Sequence, residues 1–100
     1  MLERKINLEI IYSKHFLNRK KLREISNGLA ETILNHADEH YKDTQTGYFV
    51  AVKSANFQGK TRELALTYEK SENKITIITL HPLKKGQKEN RIKTRRWVKQ

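Results

Sequence analysis

The 100-residue chain contains no cysteine, one proline, four glycines and a single tryptophan. Without thiols, neither a disulfide framework nor a thiolate metal site can form. So few glycines and prolines leave no flexible hinge, and there is no linker, internal repeat or low-complexity segment. No apolar run approaches the roughly 20 residues that cross a bilayer. The opening "MLERKINLEIIYS" alternates and carries Glu3 and Glu9, the wrong order for a secretion signal. A soluble cytoplasmic protein with no membrane partner is therefore expected. The P-loop, G-x-G-x-x-G, G-x-S-x-G and EF-hand patterns are also missing, which disfavours ATP hydrolysis, Rossmann cofactors and serine hydrolysis.

Carboxylates are scarce as well, with 11 Asp and Glu against 21 Lys and Arg, a formal charge of +10. A thermophile's charge-rich surface would raise Glu alongside Lys, and here the acids lag. An excess of this size on a small chain favours a polyanionic partner, either nucleic acid or an acidic protein. Hydrophobic residues make up 36%. They gather in periodic runs, as a folded domain requires, and the length fits a single domain spanning residues 1–100.

"KINLEIIYS" (5–13) alternates around Ile6, Leu8 and Ile10 and reads as a strand. Ser13 can cap the helix that follows, "KHFLNRKKLREI". Ser26 or Asn27 starts a second helix, in which Leu29, Ala30, Ile33, Leu34 and Ala37 recur at helical spacing. "KDTQTG" (42–47) is turn chemistry, after which the period changes to two. "YFVAVK", "RELALTYEK" and "KITIITL" then form an antiparallel meander, with a turn at Gln58–Lys60. The tail "NRIKTRRWVK" is ambiguous between strand and helix, and a strand is preferred. The order β-α-α-β-β-β(-β) predicts an α+β fold, a helical hairpin packed on a small antiparallel sheet.

Within "YSKHFLNRKKLREIS", Ser13, His15, Arg19, Arg23, Ile25 and Ser26 fall in the pattern S-x-H-x-x-x-R…R-x-I-S. "NRIKTRRW" is similar to a late strand ending in an Ile, a small residue and Arg. With the order of elements, these stretches resemble the RelE/ParE-like toxin superfamily, above all small relatives of the BrnT-type toxins. The resemblance implies a RelE-like fold and a metal-independent ribonuclease without cofactor, kept silent by an acidic antitoxin. RNA, that antitoxin and the ribosome are the partners it suggests. ParE-type relatives act on gyrase instead. One departure is "HPLKKGQKEN", long and basic between the meander and the Arg pair. Active-site residues vary among such toxins, so no catalytic set carries over.

Metal-free RNA cleavage needs a base for the 2′-hydroxyl proton, cations for the phosphorane and an acid for the leaving 5′-oxygen. Histidine titrates near working pH, and arginine can grip two phosphate oxygens at once. His81 follows the third meander strand, where a rigid sheet gives way to the basic loop. His15 and Arg19 lie four apart, on one face of the first helix. With the tail as a strand, Arg91 and Arg95 project to one side and Arg96 to the other with Ile92. The candidate catalytic residues are thus His15, His81 and Arg95. Arg19, Lys60, Arg62, Lys84, Lys85, Arg91 and Arg96 are candidate RNA contacts. Trp97 could stack on a base, but closing a core edge suits it better, and Tyr68 is expected to fill the sheet. His36 and His40, read as a helix-end pair, make too weak a set for zinc, and no metal is expected. A non-catalytic nucleic-acid-binding module and a protein-targeting toxin remain the alternatives to a ribonuclease.

Overall fold

The computed structural model describes residues 9–23 and 27–100. The expected start of the first strand at Lys5, and Ser26 between the helices, lie outside that range. Along the chain come β1 (Glu9–Tyr12), α1 (Lys14–Arg23), α2 (Asn27–His36), β2 (Glu39–Asp43), β3 (Phe49–Phe57), β4 (Lys60–Ser71), β5 (Lys74–Pro82), α3 (Gln87–Lys93) and β6 (Trp97–Lys99). Ser13 takes its expected cap position: its hydroxyl accepts from the Phe16 N–H at 3.0 Å and donates to the Ile78 carbonyl at 3.2 Å. The meander forms as the alternation predicts. Gln58 (φ 53°) and Gly59 (φ 82°) close β3 onto β4, both in the left-handed region that a tight hairpin requires.

The six strands stand in the order β1-β5-β4-β3-β2-β6. The fold is α+β, but the sheet is mixed and not purely antiparallel, because β1 pairs with β5 in parallel. Its pairing aligns Ile10 with Ile75 and Tyr12 with Ile77, so the apolar side chains of both strands meet the helices on one face. On that face Phe16, Ile33, Leu64, Leu66 and Ile77 are almost fully buried. Tyr41, Val50, Val52, Ala65 and Trp97 form a smaller core on the other face. No described helix is long and apolar enough to cross a membrane.

Two segments depart from expectation. "EHYKD" is β2 and neither a helix end nor a turn, since Tyr41 faces inward to stack on Trp97 with ring centroids 5.6 Å apart. The tail is also not one strand. Its first half is α3, entered through Gly86 at φ 79°, and Arg95 at φ 63° turns the chain into β6. "NRIK" suits a helix and "WVK" an edge strand, so neither conformation fits the whole stretch. Trp97 is 5% exposed, in keeping with a core-edge role.

Candidate nucleic-acid interface

His81 stands opposite Ala65 of β4 and shares its face of the sheet, the one away from α1 and α2. With Phe57, Gln58, Pro82 and Lys84 it lines a cavity of about 370 Å³. The loop is tied down beside it: the Leu83 N–H donates to the Glu63 carbonyl at 2.8 Å, and the Lys84 N–H to the Gln87 side chain at 3.0 Å. Lys60 pairs with Phe57 across the hairpin end and Arg62 with Ala55, both side chains exposed. Lys84 and Lys85 are exposed too. One imidazole and several exposed cations therefore share this end of the sheet, His81 on one face and Lys60 and Arg62 on the other.

The tail arginines do not line that cavity. Arg91 is carried by α3 and Arg95 by the turn after it, so the expectation that both project from one side of a strand is overturned. Arg96 meets Asp43, with Nε 3.1 and 3.2 Å from the two carboxylate oxygens and Nη2 3.1 Å from Oδ2. Burial alone would raise the Asp43 pKa. The Arg96 guanidinium and the backbone N–H groups of Gln45 and Thr46 outweigh it and hold the carboxyl below its usual range. Lys88 is likewise engaged, bridging Glu63 at 2.8 Å and Glu39 at 3.1 Å and fastening α3 across the sheet. Glu63 first, then Glu39, push its ammonium pKa up. The Tyr41 hydroxyl, backed by Lys88, keeps Glu39 low. Glu31 accepts a hydrogen bond from Tyr12, whose phenol is pushed up to about 12, mainly by burial. Four acids are thus spent inside the fold, while Lys60, Arg62, Lys84 and Lys85 stay on the surface.

His15 is exposed on the first turn of α1, on the helix-bearing side of the sheet and not with His81. Arg19 follows on the same helix, with its side chain outside the described part. His36 ends α2 and His40 sits on β2, so the two do not share a helix face. His40 belongs to a group that its helical misreading concealed. Its Nδ1 lies 3.0 Å from the Tyr68 hydroxyl, and both residues line a second cavity, of about 500 Å³, with Phe49, Lys70 and Gln100. Tyr68 is buried as expected, and desolvation raises its pKa. Alternation along "EHYKD" was the one available signal, with His40 and Lys42 on one side and Tyr41 on the other. Comparison of the chain with protein-family models, curated proteins and solved structures found no match.

Proposed function

We propose that the protein is a metal-independent endoribonuclease of the RelE-like toxin type, acting on RNA in the cytoplasm and silenced by an acidic antitoxin. The observation that carries this proposal is the concavity shared by His81 and Lys84 beside the Lys60–Arg62 hairpin, on a chain of net charge +10. The helix pair packed on one sheet face supports a RelE-like arrangement. In this scheme His81 takes the 2′-hydroxyl proton and the 2′-oxygen attacks phosphorus. The bond to the 5′-oxygen breaks, leaving a 2′,3′-cyclic phosphate and a 5′-hydroxyl that takes up a proton from Lys84 or water. Lys84 stands by the charge that builds on the phosphorane. Arg95, in the turn between α3 and β6 and outside that cavity, serves in this scheme as an RNA contact away from the cleaved bond.

The test is cleavage of RNA by purified protein in EDTA. His81→Ala should slow cleavage by about 10²–10⁴-fold while RNA affinity is retained. Unchanged cleavage in that variant would reject the assignment of His81. Salt-sensitive RNA binding without any cleavage by the wild type would leave a binding module in its place.

A further inference from the structure

The helix-bearing face of the sheet carries the second cavity, opposite His81, and strand register assembles it. His40 pairs with Ala51, Lys42 with Phe49 and Phe49 in turn with Tyr68. Lys70 is two residues beyond Tyr68, and the Gln100 N–H donates to the His40 carbonyl at 2.8 Å. Phe49 and Tyr68 stack at 5.6 Å and 21°, forming a flat aromatic wall, and His40 meets Tyr68 edge-on at 6.1 Å. The Lys42 ammonium lies over the Phe49 ring, 5.4 Å from its centroid. Lys70 is exposed and makes no ion pair among the described residues. Among the described residues, no Asp or Glu side chain lines the cavity.

We infer that this cavity, bounded by the Phe49–Tyr68 wall, His40, Lys70 and Gln100, with Lys42 beside it over the Phe49 ring, binds one nucleotide unit. The volume of about 500 Å³ suits a ligand of that size. A plain anion would use the lysines and leave the aromatic wall idle, whereas a base can stack there while its phosphate meets Lys42 and Lys70. Stacking on Phe49 displaces the Lys42 ammonium, whose exposed chain is free to follow the phosphate. The Tyr68 phenol can donate to His40 Nδ1 across 3.0 Å. Nε2 then carries the proton and offers a donor to the ligand. The Gln100 Nε2 donates to the Val98 and Lys99 carbonyls at 3.0 and 3.3 Å, which leaves its amide oxygen to accept from a base edge. This site deepens the ribonuclease proposal by adding a subsite for an unpaired nucleotide, and rests on it only for the nucleotide's source.

The experiment is an amide-resonance titration of the intact chain with AMP and, separately, with a four-nucleotide oligoadenylate. Phe49, Tyr68, Lys70 and Gln100 should shift together and saturably with AMP. A Lys42→Ala/Lys70→Ala double variant should weaken AMP by about tenfold with an unchanged melting midpoint, since both side chains are exposed. Tyr68→Phe keeps the wall but frees His40, and should weaken AMP severalfold. Tighter binding of the oligonucleotide, competed by AMP, identifies an RNA strand as the source. Equal affinity for both identifies a free nucleotide. AMP shifts confined to the His81–Lys84 cavity, or AMP affinity unaltered in the double variant, would overturn the site. If the wild type cleaves no RNA but AMP still binds here, the ribonuclease proposal fails and this site stands.

Discussion

Replacing Lys88 with methionine keeps a side chain of similar length and removes its charge. Lys88 is 17% exposed, and the carboxylates it bridges, Glu39 and Glu63, are 31% and 36% exposed. Removing one partner of a fully buried ion pair costs about 3–5 kcal/mol, whereas exposed pairs contribute about 0.2–1 kcal/mol. Half-exposed carboxylates place the loss between these limits, at about 2 kcal/mol. For a domain of this length, that lowers the melting midpoint by about 10 °C. The pH dependence has a defined sign. Glu39 is held low in the folded state, so its contribution is present above its unfolded pKa and fades as pH falls through the folded value. Lys88 is raised, so its contribution is full below the unfolded lysine pKa and fades only as pH climbs through the folded one. The two proteins should therefore differ near neutrality and converge as pH falls through the lowered folded-state pKa of Glu39. Circular-dichroism melts across that range read the difference directly. Equal midpoints at neutral pH would refute the idea that Lys88 fastens α3.

Asp43→Asn leaves acceptors for the Gln45 and Thr46 N–H groups but discharges the contact with Arg96; urea denaturation should show a loss of about 1–2 kcal/mol. Arg95→Gly relieves a left-handed backbone position and should stabilise the fold by about 0.5–1 kcal/mol while weakening RNA binding, read by a melt and a filter-binding assay on the same sample. Lys60→Ala combined with Arg62→Ala should shrink the slope of log affinity against log salt by about 0.7 per lost phosphate contact, with no change in thermal midpoint.

The helix pair and meander were readable because the apolar period switches from 3.6 to 2 near Tyr48, and Ser13 and Gln58–Gly59 mark two of the boundaries. β2 was not: "EHYKD" carries too little apolar alternation to declare itself and becomes a strand by pairing with β3 and β6, while of the expected tail strand only Trp97–Lys99 forms. A helical reading of 36–40 pairs His40 with His36, whereas the strand register aligns it with Tyr68 across Ala51 and Phe49. Lys84 could be associated with His81 because only two residues separate them. Which tail cations face solvent was not legible, since Glu39, Asp43 and Glu63, the partners of Lys88 and Arg96, come from distant strands.

Sheet order also bears on how the molecule matures. β3, β4 and β5 join through short reversals, but Glu9 must find Lys74 and Tyr41 must find Lys99 before either margin is sealed. Closing such distant loops is slow, so the central three strands should acquire hydrogen-exchange protection first and both margins last. Gln100, held to His40 at the later-closing β2–β6 margin, would then join the proposed nucleotide cavity only after the central strands have formed.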